Sequence, residues 1–280
     1  MNANYLLGDE KRLRKEAYDE RRSTSIQKYN FQSMEHLDKL TADKIFMSDP
    51  ARFNDPFDLK LEMADDTLSG PFKDIETLRA AYRVLLDATP DIGDHWFYDD
   101  RLLESLRAWA YEGLPEYQVV EAVKQRMRRF GVACFAPHWD MPLMWSHYGK
   151  SHTGFCVEYF VRKITFAFDP RFWQLDVAYT SELPSICLSE LLFSPHKVLP
   201  RILGTKHVDW AYEKEWRLIH LTSRGESVPV SDGLAVASLI IGKNASPSDR
   251  ERVREKAELG VCVFQIDQRY GKYEFMLAQV

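Results

Sequence analysis

The spacing of apolar positions along this chain changes near Gly131, and the change separates a helix-rich first half from a strand-rich second half. Within residues 72–130, the stretches ETLRAAYRVLLDA, DRLLESLRAWAYEG and EYQVVEAVKQRMRRF place apolar residues at i, i+3 and i+4. That period predicts at least three helices packed as a lobe, the second closing at Gly113 as a C-cap. Beyond Gly131, residues 132–137, 153–160, 174–180, 213–221, 237–243 and 260–267 are rich in β-branched and aromatic side chains and read as strands. Residues 247–259 form a charged helix that opens on Pro247, and residues 188–206 read as mixed helix and loop. Ahead of the lobe, residues 26–31 and 43–48 read as strands, with a helix over 33–41 capped by Ser33 between them. Residues 5–22 are charged and helix-prone with few apolar anchors, which predicts an N-terminal helical extension over 1–25, loosely attached or used in a contact. The order predicts one α+β domain over 1–280, with a largely antiparallel or mixed sheet and a helical lobe.

Composition narrows the class. A chain of 280 residues with 45% hydrophobic and 28% charged residues can bury a large core, and seven Trp imply a substantial aromatic core or a stacking surface. A net charge of −5 lacks the overall basic signature of a nucleic-acid binder. The basic run Lys124, Arg126, Arg128 and Arg129 reads as a solvated helix face. Cys134, Cys156, Cys187 and Cys262 are scattered among apolar residues with no C-x-x-C pair, which suits buried thiols in a reducing compartment. The N-terminus has no signal-peptide core, and no apolar run approaches the ~20 residues of a membrane span. The expectation is a cytoplasmic protein with no membrane segment and no metal site.

Polar chemistry concentrates in three short motifs. The first runs from Arg52 to Asp58, where Asn54, Asp55 and Pro56 supply turn chemistry between Phe53 and Phe57. Either the turn caps itself and both Phe side chains plug the core, or Asn54 or Asp55 orders a binding loop. The second runs from Pro142 to Gly149 and holds Trp145, Ser146, His147 and Tyr148. Such a set can stack on a flat ring and hydrogen-bond a polar ligand, or it can be a short helix pinned by Trp145 and Met144. His147 and His152 have the wrong spacing for one helix face, and no HExxH is present. The third runs from Trp210 to Ile219. On a strand, Glu213, Glu215 and Arg217 share one face and Trp210, Tyr212, Trp216 and Leu218 the other. Two carboxylates beside a guanidinium can bind a sugar diol or stabilise a developing cation, or they can form a solvent-facing ion network. No P-loop, G-x-G-x-x-G or G-x-S-x-G pattern is present.

These motifs, with Lys28-Tyr29 ahead of them and S-H-x-G-F-C-V-E from Ser151 to Glu158, resemble a bacterial family known as domain of unknown function twenty-nine seventy-one. The matching segments are ordered and span about residues 26–245. More distantly, the layout is similar to that of ADP-ribosyltransferases: an early NAD-holding strand, an aromatic or hydroxyl motif mid-chain and a late glutamate, sometimes E-x-E. That resemblance implies NAD as co-substrate, with Glu215 stabilising positive charge on the ribose and Glu213 activating an acceptor. It also implies Tyr148 or Trp145 stacking on nicotinamide and Lys28, beside Tyr29, meeting the diphosphate. Lys28 stands where the family usually has Arg or His, and lysine offers a point charge rather than a planar fork. The implied roles are a toxin or phage-defence effector acting on a protein or nucleic-acid acceptor. A non-catalytic nucleotide- or protein-binding module on the same fold, or a nucleic-acid-acting protein, stands beside it.

Overall fold

The computed structural model describes residues 3–60, 62, 63, 72, 74–89, 97–161, 171–230 and 233–280. Parts of the predicted elements, at residues 1, 2, 73 and 90–96, lie outside the described residues. The chain opens with α1 (Ala3–Thr24), β1 (Ile26–Gln32), a 3₁₀ turn Met34–Lys39, β2 (Lys44–Met47) and the short β3 (Glu62–Met63). The lobe follows as α2 (Ile75–Ala88), α3 (Asp100–Arg107) and α4 (Glu116–Met127). Then come β4 (Gly131–Phe135), α5 (Pro142–His147), β5 (Phe155–Val161), β6 (Phe172–Asp176), β7 (Ala178–Thr180) and β8 (Ser185–Ile186). Helices α6 (Leu188–Phe193) and α7 (Pro195–Leu203) lead to β9 (Thr205–His207) and β10 (Trp216–His220). The chain closes with β11 (Glu226–Pro229), β12 (Leu234–Ile241), α8 (Pro247–Glu255), β13 (Cys262–Gln268) and β14 (Phe275–Gln279).

The fold is α+β. A larger sheet runs in the order β1-β5-β12-β13-β14, and a smaller one runs β4-β10-β6. Within these two sheets neighbours are antiparallel except β12 and β13, which α8 connects in parallel, and the short pairs β3-β8 and β7-β9 are parallel. Two isolated bridges, Tyr29 to Ala136 and Ser48 to Val132, tie β4 to β1 and β2.

Strand alternation assigns each layer. All seven residues of β5 are buried. Phe155, Val157, Tyr159 and Val161 point into the core between the sheets, where Phe135, Trp216 and Leu218 meet them. Cys156 and Phe160 point the other way, into a layer completed by Tyr18 of α1 and Trp145 of α5. On β10, Leu218 faces the inter-sheet core while Ile219 joins the core of the helical lobe. The layers are therefore α1 with α5, the large sheet, the small sheet and the lobe. The lobe helices α2 and α3 carry Asp N-caps, Asp74 and Asp99, and Gly113 caps a π-helical turn in the left-handed conformation.

Several sequence expectations shift. The helix expected over 33–41 is a short 3₁₀ helix over Met34–Lys39, and Ser33 makes no side-chain cap bond. The strand expected over 174–180 breaks at Val177 into β6 and β7, which join different sheets. Residues 188–206 are mostly helical. The N-terminal helix is anchored rather than loose: Tyr18 is buried against Phe160 and Phe264, and Arg14 donates to the Ala257 carbonyl. Its polar anchor is Glu158, buried on β5, which accepts from the hydroxyls of Tyr18 (2.7 Å), Tyr29 (2.8 Å) and Ser238 (2.5 Å), with Arg22 at 3.6 Å.

After α5 the chain passes through three consecutive left-handed residues, Lys150, Ser151 and His152, with φ of 48°, 56° and 66°. Glycines allow close backbone approaches beside this turn. A Cβ on Gly154 would stand 2.1 Å from the Gln32 carbonyl oxygen, and one on Gly242 would stand 2.3 Å from that of His152.

Candidate functional site

The late motif does not form the strand expected over 213–221. Residues Val208–Glu213 make a 3₁₀ turn, Lys214 is left-handed at φ 46°, and β10 starts only at Trp216. The left-handed residue reverses the chain so that both glutamates turn inward. Glu213 is 2% exposed, Glu215 5% and Arg217 0%. The solvent-facing ion network weighed from the sequence is therefore replaced by a buried one.

Arg217 lies at its centre. Its Nε donates to Glu215 Oε1 at 2.7 Å, one terminal nitrogen donates to Asp58 Oδ2 at 2.6 Å, and the other donates to the Leu203 carbonyl at 2.8 Å. Lys206 on β9 bridges the acids, donating to Glu213 Oε2 at 2.6 Å and Glu215 Oε2 at 3.3 Å, with Asp58 at 3.9 Å. Tyr148, just past α5, donates its phenol to Glu213 Oε1 at 2.7 Å, with the Asn54 side chain near the same phenol. The Glu215 amide donates to the Tyr179 hydroxyl at 2.8 Å, and the Cys134 thiol lies near the Glu215 carboxylate. Segments far apart in sequence thus share one charged cluster.

The two glutamates are driven in opposite directions. Burial alone would raise Glu215, but Arg217 and Lys206 outweigh it and hold its carboxyl down to about 2. Burial raises Glu213 above the usual carboxylate range, and Lys206 and Tyr148 only partly offset that. Burial would lower Lys206 and Arg217, yet the surrounding carboxylates hold both above their ordinary values. Tyr148 is raised by burial and by the facing Glu213. Two acids whose environments separate their proton affinities are the usual mark of distinct acid–base roles.

Two surface features adjoin the cluster. A cleft of about 490 Å³ has Lys206 in its lining together with Phe57, Lys60, Thr180, Thr205 and His207. Its size falls in the range of small-ligand sites. Phe57 is 60% exposed at this cleft, so only Phe53, half-buried against the lobe, behaves as the core plug expected of both. The second feature is an aromatic group in which Tyr212 stacks on His147 at 6.1 Å, and Trp210 lies beside both and under the Lys206 ammonium at 4.8 Å.

Other candidates lie elsewhere. Lys28 covers the Trp216 ring at 5.2 Å, on the inter-sheet side of β10 and so opposite Arg217. Tyr29 faces the other way, to Glu158. Trp145 is fully buried, edge-on to Phe31 and stacked with His152 at 6.2 Å, with its indole N–H on the Trp139 carbonyl, so it belongs to the core and leaves no face for a ligand. Ser146 is exposed and bonds the Pro142 carbonyl, with His152 at 3.4 Å. Asp55 organises its own turn through the Phe57 amide.

Sequence reading missed Lys206, Asp58, Tyr179 and Cys134. Asp58 was within reach, since it closes the first motif. Lys206 sits on a three-residue strand too short to show a period. The four cysteines are free thiols.

An α+β scaffold carrying a buried cluster of carboxylates and cations at the end of a short central strand is the class these features define. Residues 144–218 match the model of the family described as Protein of unknown function (DUF2971), which bears out the family resemblance over that span. The matched span includes Tyr148, Lys206, Glu213, Glu215 and Arg217, while Asn54 and Asp58 lie outside it. No match was found among curated proteins or solved structures.

Proposed function

We propose that this chain is an ADP-ribosyltransferase-like enzyme that cleaves the nicotinamide–ribose bond of NAD, with Glu213 rather than Glu215 as the carboxylate that meets the ribose. The observation that carries the reading is the divergence of the two glutamates within one cluster. Glu215 is committed to Arg217 and Lys206 and stays ionised. Glu213 keeps one oxygen on a half-buried phenol, Tyr148, whose bond a sugar hydroxyl can replace. Bond cleavage builds positive charge on the ribose, and a fixed excess of acid behind it lowers the barrier. Among Asp58, Glu213, Glu215, Lys206 and Arg217, three acids face two cations. In this reading the exposed Phe57 or the Tyr212–His147 group offers the aromatic face that Trp145 does not. Lys60 at the cleft takes the diphosphate role implied for Lys28.

A second reading follows from the same cluster. Every one of its charged groups has a partner of opposite sign, which also suits a binding module that recognises a nucleotide without turning it over. Released nicotinamide separates the two. Turnover of NAD by the wild type that falls at least about a hundredfold in Glu213→Gln, with the melting temperature little changed, supports catalysis, since each 1.4 kcal/mol of barrier is about tenfold in rate. Saturable NAD binding with no nicotinamide released supports the module.

A further inference from the structure

At the other end of β10, a separate cleft of about 630 Å³ opens between α3, α4 and the segment that follows β10. Among the described residues, five arginines line it, Arg101, Arg126, Arg128, Arg129 and Arg224, against one acid, Asp99. The sequence reading of this basic run as a solvated helix face holds only in part. Arg126 is 5% exposed, and its guanidinium is fixed by the Phe97 carbonyl at 3.0 Å and the Leu221 carbonyl at 2.7 Å.

Asp99 is a single carboxylate divided among several donors. One of its oxygens caps α3 through the Leu102 amide at 2.9 Å, and the other is shared between Arg129 at 2.7 Å and Arg126 at 3.8 Å. Arg128 reaches Glu121 only at 3.7 Å, and Arg224 reaches Asp49 only at 3.7 Å. Both arginines are largely exposed, where such pairs contribute little.

Local structure does not account for the gathering. The C-terminal end of α4 favours cations such as Arg126 and Arg128, but Arg101 sits in the first turn of α3, where the helix dipole opposes a positive charge. Arg224 arrives from a different part of the chain altogether. In a protein of net charge −5, concentrating guanidinium groups on one cleft calls for an anion. Planar forks suit phosphate oxygens, and among the described residues the lining has no aromatic ring to read a base.

We propose that this cleft binds a run of two or more phosphate groups, supplied either by a free polyphosphate or by consecutive phosphodiesters of a nucleic-acid strand. The proposal does not depend on NAD cleavage, because it uses none of the residues of the carboxylate cluster. The test is made on the full chain with two probes, inorganic tripolyphosphate by calorimetry and a fluorescein-labelled single strand of about 20 nucleotides by anisotropy, each at about 50 and about 200 mM KCl. The expected result is salt-sensitive binding of at least one probe, weakened at least about tenfold in an Arg128→Ser/Arg224→Ser variant whose melting temperature matches wild type. Much tighter binding of the strand identifies a nucleic-acid backbone, and comparable or tighter binding of tripolyphosphate identifies a free ligand. Failure of both probes to bind, or equal binding by the variant, overturns the proposal.

Discussion

Arg217 is fully buried, and its charge is tolerable there only because Glu215 and Asp58 meet it at hydrogen-bond distance. Removing one member of a buried pair leaves the other uncompensated, a loss of about 3–5 kcal/mol. Glu215→Gln should therefore lower the urea midpoint strongly, whereas Glu213→Gln, which leaves Arg217 paired, should shift it far less. Equal shifts would contradict this division of roles. The same residues set a pH dependence. Glu215 is held at about 2 against an ordinary value of 4.5, so its contribution is complete above pH 4.5 and is lost as pH falls toward 2. Glu213, raised from 4.5, works in the opposite sense and costs stability as pH rises above that value. The acid limb of the wild-type stability curve should flatten between pH 4.5 and 2 in Glu215→Gln. At this scale the sequence was informative about residue type, since a carboxylate pair beside Arg217 announces charge chemistry. It was silent on burial, because the turn at Lys214 that hides the pair depends on its tertiary setting.

Among the elements, α1 shows what periodicity leaves out. Its apolar stripe is weak, and the sequence suggested an extension loosely attached or used in a contact. Its main attachment is polar: Tyr18 reaches a carboxylate 140 positions away. Losing a hydrogen bond to a buried charge costs about 1.5–3 kcal/mol, so Tyr18→Phe should destabilise the chain by about that much and increase amide exchange along α1. Unchanged exchange would show that Phe160 and Phe264 packing alone holds the helix. The left-handed turn at Lys150–His152 is a second case. Its three non-glycine residues gave no local signal, and the glycines that accommodate it lie on either side and on β12's far end. Gly242→Ala places a methyl against the His152 carbonyl and should cost at least about 1–3 kcal/mol in a denaturant titration. The lobe helices were legible because a 3.6-residue stripe spans three or more turns, whereas β7 and β9 are too short to display any period.

Over the whole molecule, the small sheet connects two charged regions of opposite character. The carboxylate cluster sits at the start of β10 and the arginine cleft beyond its end. The class of fold was legible from strand-and-helix order, and residue type marked the three segments where polar chemistry concentrates. The partners within the cluster were not, since Lys206 and Asp58 are brought to Arg217 only by the packing of β9 and the first motif against β10. Among the described residues no helix is long and apolar enough to cross a membrane.

The most direct measurement is nicotinamide release from NAD, followed by chromatography, for wild type, Glu213→Gln and Tyr148→Phe. Catalysis at Glu213 predicts release by wild type, loss of at least about a hundredfold in Glu213→Gln and a smaller loss, about tenfold, in Tyr148→Phe. Absence of release from the folded wild-type chain, or undiminished release by Glu213→Gln, would contradict it.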